Sequence, residues 1–261
     1  MAKPQPKRVV ACKDGYDEKA LSLALGYTKL LIDDAGVAAP DLVLLTHTKR
    51  QLQSTSLAGM LGPEASRALS AGKQLHTPVG PLRHATLRTL GNSGNNTIVI
   101  AFYADEKMLD ELDSMPGLIG IVVVPDREGD IANWVKRWTV QVHGEKPGTP
   151  TSLISDPLIE TAMRALTTIT NTSYGCLNSR DTEHADEIFR ILRNKGHILD
   201  PLEIKNWAVR EGWHTGAAND AAKIAAKIAK LKQKPSLAKF HDPTARYLRW
   251  KAESKEPKDF E

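Results

Sequence analysis

Long apolar runs are missing from this chain. No stretch approaches the ~20 consecutive apolar residues that a bilayer-spanning helix needs, so an integral membrane protein is not expected. Cysteine is nearly absent: Cys12 and Cys176 stand far apart in 261 residues, and a disulfide-built secreted scaffold would use more. The opening residues MAKPQPKRVVAC hold only a short apolar run, Val9 to Cys12, too little for the core of a signal peptide. These points together predict a cytoplasmic protein with reduced thiols, and Cys12 is expected to pack in a strand.

Several chemical signatures are lacking as well. The stretch after the first strand signal, KDGYDEKA, is not the Gly-rich dinucleotide fingerprint, although Asp14 or Asp17 there could contact a ribose. The loop GNSGNN at 91–96 has no Gly-Lys-Ser/Thr ending and precedes a strand, the wrong context for a phosphate cradle. None of the eight histidines shows zinc-ligand spacing, so no structural metal site is expected. A nucleophile elbow of the GxSxG type is absent too.

Nor is charge of one sign in large excess, with 35 Lys and Arg against 31 Asp and Glu. Its distribution is uneven. Residues 223–258 hold eleven basic side chains against three acids, a local charge of +8, which leaves the rest of the chain at −4. The basic character therefore lies near the C-terminus.

What is present in residues 1–142 is an alternation of strand and helix patterns. Unbroken β-rich runs occur at 7–12, 42–45, 97–102 and 119–124, and an edge strand is expected near 83–89. Helical spacing lies between them at 17–33, 50–61, 105–113 and 128–138, while the Gly- and Pro-rich stretch 62–96 reads mainly as loop. Continuous Val/Ile/Leu strands separated by helices predict a doubly wound, mostly parallel α/β sheet, Rossmann-like, with four or five strands. Ligands of such sheets sit at the carboxyl ends of the strands. Here those ends are 12–17, 46–49, 103–107 and 125–130.

A linker at 143–152 precedes a helical module at 153–233, and residues 234–261 read as a basic, loosely ordered tail. Asp156-Pro157 and Asp200-Pro201 are helix starts, Asp181 or Thr182 is the expected cap between them, and Gly196 and Gly212 are stops. Helix 201–211, the turn GWHTG and a helix at 217–232 have a helix-turn-helix-like outline. The last helix sets Lys223, Lys227, Lys230 and Lys234 on one face, opposite Ile224, Ile228 and Leu231. Such lysines can follow a phosphate backbone by charge alone, with Arg246 and Arg249 in support. Its first turn offers only Asn219 to a base edge and places Asp220 against phosphate, so non-specific contact is expected.

One string carries a resemblance. PDREGDIANW at 125–134, directly after the strand IGIVVV, resembles the PDREGE stretch of type IA topoisomerases, whose Toprim domain holds Mg²⁺ with a strand-end acid trio. Asp126 and Glu128 fall on two positions of that trio, and Val124 occupies the first. Asp14-Gly15-Tyr16-Asp17 is similar to the Glu-Gly-Tyr-Met-Asp run of bacterial primases, one residue shorter. The resemblance implies a Mg²⁺-dependent phosphodiester-processing enzyme with Asp14, Asp126 and Glu128 as its carboxylates. The same string also reads as a plain strand-to-helix turn capped by Asp126, with Glu128 and Asp130 in the first helical turn.

Three functional classes follow. The first is a two-domain binding or regulatory protein, with the helical module on nucleic acid and the α/β domain on a ligand or in assembly. The second is the Toprim-like enzyme. The third is a protein-interaction scaffold that forms a homo- or hetero-oligomer. Only the second implies a cofactor, Mg²⁺, and none involves a membrane.

Overall fold

The computed structural model describes residues 5–91, 96–146 and 148–255. The chain divides into two compact units at the Pro150–Thr151 bond. In the first, the elements run β1 (Lys7–Val10), α1 (Ala20–Ala35), β2 (Asp41–Thr46), α2 (Gln51–Ser54), α3 (Ser56–Leu61), α4 (Pro63–Ser70) and β3 (Leu75–Thr77). They continue with β4 (Gly80–Thr86), α5 (Leu87–Leu90), β5 (Thr97–Ala104), α6 (Glu106–Asp113), β6 (Leu118–Pro125), α7 (Ala132–Trp138) and β7 (Gln141–Val142).

The sheet has seven strands in the order β3-β4-β2-β5-β6-β1-β7. Every pairing is parallel except β3 with β4. Alternate side chains of a strand point to opposite faces, and here both faces are covered. Val9, Leu42, Leu44, Ile98, Ile100 and Val122 pack under α1 to α4 through Ala24, Leu52, Leu57 and Leu69. Val10, Val43, Leu45, Val99, Ile121 and Val123 pack under α5 to α7 through Leu90, Met108, Leu112 and Trp134. That two-sided burial is why the strands are unbroken apolar runs.

The α/β class stands as expected, with seven strands in place of four or five. The additions are the short β3 and the two-residue β7, both below the length at which a pattern is visible. The stretch 62–96 is also more regular than its Gly and Pro content suggests. Gly62 and Gly72 have φ of +77° and +78° and flank α4 without interrupting it, while Pro63 sits at its first position. Residues 50–61 are broken into α2 and α3 by the extended Thr55. The helix expected from Glu128 starts only at Ala132, with Ile131 in the cap position. Asp126 therefore caps nothing; Asp130 accepts the Arg127 amide and turns the chain instead.

At two places in the sheet, β2 beside β5 and β6 beside β1, the loops leave neighbouring strands toward opposite faces. α1 and α2, which follow β1 and β2, lie on one side; α6 and α7, which follow β5 and β6, lie on the other. Because β1 adjoins β6 and β2 adjoins β5, the loops part at the carboxyl ends and leave a crevice there.

The second unit is helical: α8 (Pro157–Ile169), α9 (Ser179–Asn194), α10 (Pro201–Arg210), α11 (Thr215–Ala229) and α12 (Pro243–Glu253). Asp156 caps α8 by accepting the Leu158 amide, and Asp200 caps α10 by accepting the amides of Leu202 and Glu203. Glu203 does not close a capping box; its carboxylate accepts the Ser155 amide and hydroxyl. The cap of α9 is Asn178 and not Asp181 or Thr182.

Residues 243–253 differ from the loosely ordered tail expected over 234–261. Asp242 caps α12, and Trp250, fully buried, anchors it. Three charged residues between its apolar positions mask that anchor in the composition. Among the described residues no helix is long and apolar enough to cross a membrane.

Candidate functional site

The crevice of the α/β unit is built around Tyr103, near the end of β5. Its backbone has φ of +56°, a region a bulky L-residue adopts only under tertiary constraint. His47, at the end of β2, donates its Nε2–H to the Tyr103 carbonyl at 2.9 Å. The phenol turns toward α3, accepts the Leu57 amide at 2.9 Å and lies 2.7 Å from Ser56 Oγ. Ser56 Oγ in turn donates to the Gly15 carbonyl at 3.1 Å. Gly15 is glycine for a steric reason: a Cβ there would stand 2.8 Å from both the Pro125 oxygen and the Tyr103 ring. The phenol thus joins the end of β5 to the start of α3, and Ser56 carries the link on to the loop after β1.

Tyr16 forms the outer wall. The residue is 52% exposed, and its ring lies 5.7 Å from that of Tyr103. Its hydroxyl donates to Asp126 at 3.2 Å, and the neighbouring Asp126 carboxylate pushes the phenol up from its ordinary value. Beside it a cavity of about 440 Å³ opens, lined by Tyr16, Glu18, Ser56, Gly59 and Met60.

The three carboxylates implied by the topoisomerase resemblance stand at this end of the sheet, each with a different partner. Asp14 accepts the Tyr16 amide at 2.6 Å within its own loop. Asp126 takes the Tyr16 hydroxyl, and Glu128 takes the Lys13 ammonium at 3.1 Å. Lys13 also bridges to Glu145 at 3.0 Å. Among the described residues no group of three His, Cys, Asp or Glu side chains could hold a metal ion. As placed, these residues do not form a Mg²⁺ centre: a backbone amide engages Asp14, a phenol Asp126 and an ammonium Glu128. Cys12 is buried but lies two residues past the end of β1, not in the strand as expected; burial pushes its thiol up to about 11, so it stays protonated at neutral pH.

The helical unit carries the lysines. Lys223, Lys227, Lys230 and Lys234 are all exposed. α11 ends at Ala229 with Lys230 as its C-cap, so Lys234 lies beyond the helix expected to run to 232. Lys223 pairs with Asp220 at 3.0 Å in a solvated setting. The two supporting arginines differ. Arg249 is exposed and ion-paired within α12 with Glu253 at 3.6 Å. Arg246 is held against α9 by Glu187 at 2.5 Å and lies over the Trp250 ring, so packing engages its charge.

The helix-turn-helix outline ends differently from a sequence reader. A recognition helix uses its N-terminal turn on base edges. Here Thr215, Ala217 and Ala218 are buried. The loop after α8 lies over them: Thr172 accepts the His214 amide at 2.8 Å, and the Leu177 amide donates to Asp220 at 3.3 Å. A Cβ on Gly216 would come within 1.9 Å of the Gly175 oxygen. The start of α11 is closed to a groove, while its lysine-bearing side is open.

A hydrogen-bonded chain closes the unit on itself. Asp156 meets His197 Nδ1 at 2.5 Å, and His197 Nε2 meets the Tyr247 hydroxyl at 3.1 Å. It ties the cap of α8 and the turn after α9 to α12. Burial opposes ionisation of Asp156, but the bonds from His197 and from the amides of Leu158 and Ile159 outweigh it and hold the carboxyl below its ordinary range. Residues 155–251 match a family model described as a domain of unknown function (DUF1889). The match opens beside the Asp156 cap and closes just past Trp250, so it takes in α8 to α11 and most of α12. No curated protein and no solved structure matches the chain.

Tyr103 falls in the expected strand end 103–107, but nothing in the sequence marks its role, and Ser56, Gly59 and Met60 carry no signal at all. The Tyr103 phenol and ring meet Leu57 and Gly15, both distant in the chain.

Proposed function

We propose that this is a cytoplasmic binding protein whose helical unit holds nucleic acid through the phosphate backbone, without reading base sequence. Lys223, Lys227, Lys230 and Lys234 make the contacts, with Arg249 in support. The observation that carries this reading is the contrast on α11. Its lysines stand in solvent, while the turn that would read bases is buried under the 171–178 loop. Charge alone then supplies the affinity, and it falls with salt as counterions are released.

The test is an anisotropy titration of labelled single- and double-stranded DNA and RNA on the full chain, at about 50 and 200 mM salt. Binding should fall steeply with salt, with little preference among sequences. Replacing the four lysines with glutamine should lower the logarithmic salt slope on duplex DNA by about 3 to 4. Equal affinity and slope in the variant would remove the reading. No binding at low salt would favour the scaffold class instead.

In the α/β unit, a small ligand at the carboxyl ends of the strands is the second reading. What supports it is the cavity beside Tyr16, at a point where the chain leaves adjacent strands to opposite faces.

A further inference from the structure

We propose that the cavity beside Tyr16 takes a small planar aromatic molecule bearing a protonated amine, stacked on the Tyr16 ring with its ammonium on the Glu18 carboxylate. This rests on the reading of the crevice as a ligand site and adds the ligand's chemical class.

The class follows from the polar valences left facing the cavity. The Tyr103 hydroxyl accepts from the Leu57 amide, which leaves its proton for Ser56 Oγ. Ser56 Oγ spends its own proton on the Gly15 carbonyl. The Tyr16 hydroxyl spends its proton on Asp126. What Ser56 and Tyr16 have left is lone pairs, and Glu18 contributes a carboxylate. Every free side-chain valence on this wall is therefore an acceptor, and a ligand must bring donors.

Charge points the same way. Asp126 dominates the electrostatics at the Tyr16 phenol, with Arg127 a weaker opposing influence. Lys13, on the β1 loop, is bridged to Glu128 and Glu145. A phosphate or carboxylate ligand would meet the Glu18 carboxylate, and among the described residues that line the cavity none is a cation.

Shape selects an aromatic body. Tyr16 presents a ring and Met60 a thioether, both of which favour π-systems. A Cβ on Gly59 would meet nothing within 4 Å, so the backbone of α3 leaves a flat, open side. The volume of about 440 Å³ suits a fused two-ring molecule.

The probes are tryptamine, indole and indole-3-propionate, which share one ring system and differ in charge. They are titrated calorimetrically into the full chain. Tryptamine should bind at least about tenfold more tightly than indole-3-propionate. Glu18→Gln should weaken tryptamine about tenfold and leave indole unchanged. Gly59→Leu, which fills the cavity from an exposed helical position, should abolish binding of all three. Indole-3-propionate binding as tightly as tryptamine, still blocked by Gly59→Leu, would overturn the proposed class and leave the crevice as a ligand site. No Gly59-sensitive binding by any of the three would overturn the class, and a neutral fragment screen equally blind to Gly59→Leu would overturn the crevice reading with it.

Discussion

The Tyr103 hydroxyl accepts the amide of Leu57, 46 residues away in sequence, at 2.9 Å. Leu57 is fully buried in the first turn of α3, where an amide has no partner within the helix. The phenol supplies that partner, and the positive φ of Tyr103 accompanies the placement. Tyr103→Phe should leave the Leu57 amide buried without an acceptor and cost about 1–3 kcal/mol. Urea unfolding of the full chain reads the loss, and hydrogen exchange at Leu57 should quicken with it. Unchanged stability would mean that another acceptor replaces the phenol.

The cover over α11 is equally specific. Gly216→Ala sets a methyl group against the Gly175 carbonyl, so the 171–178 loop must move. A cost of about 1–3 kcal/mol is expected, as for overpacking elsewhere. Exchange of the Leu177 and His214 amides should rise in the same variant. Protection equal to that of the native chain would show the loop does not seal the helix start.

The two units should respond to acid in different windows. Burial, helped by Lys49, holds His84 down at about 4, against an ordinary value of 6.5. The unfolded chain then binds a proton that the folded one refuses, so stability of the α/β unit should fall as pH drops from 6.5 toward 4. His84→Gln should flatten that limb. Asp156 is also depressed, so its contribution is present above the ordinary aspartate value and is lost as pH falls through the lower folded value. Loosening of α12 should therefore come at lower pH than the loss from His84, and Asp156→Asn should show it already at neutral pH. Hydrogen exchange followed by fragment separates the two units. A single common acid midpoint in both would contradict this assignment.

Much of the architecture is local and therefore legible. Runs such as Ile98–Phe102 and Ile121–Val124 are strands because both faces are buried, and no distant partner is needed to recognise them. The caps at Asp156 and Asp200 are legible for a similar reason: a carboxylate followed by proline satisfies its own neighbours' amides. Lys223 and Lys227 on α11 follow from helical spacing, since exposure on one side is the complement of a buried stripe, while Lys234 lies past the end of the helix. The strand ends, and with them the region of the crevice, come from the same alternation.

The groups that give the crevice its chemistry come from contacts between segments far apart. Asp14, Asp126 and Glu128 lie in suggestive strings, yet Tyr16 and Lys13 decide what each carboxylate does. Arg246 has the composition of a phosphate contact and is spent on Glu187. α12 looks like a solvated tail until Trp250 finds its place in the core. A residue's type and spacing are written in its immediate neighbours, so elements, caps and exposed faces can be read along the chain. Which valence is already satisfied depends on a partner that only folding delivers, so the free acceptors beside Tyr16 and the closed end of α11 are properties of the packing.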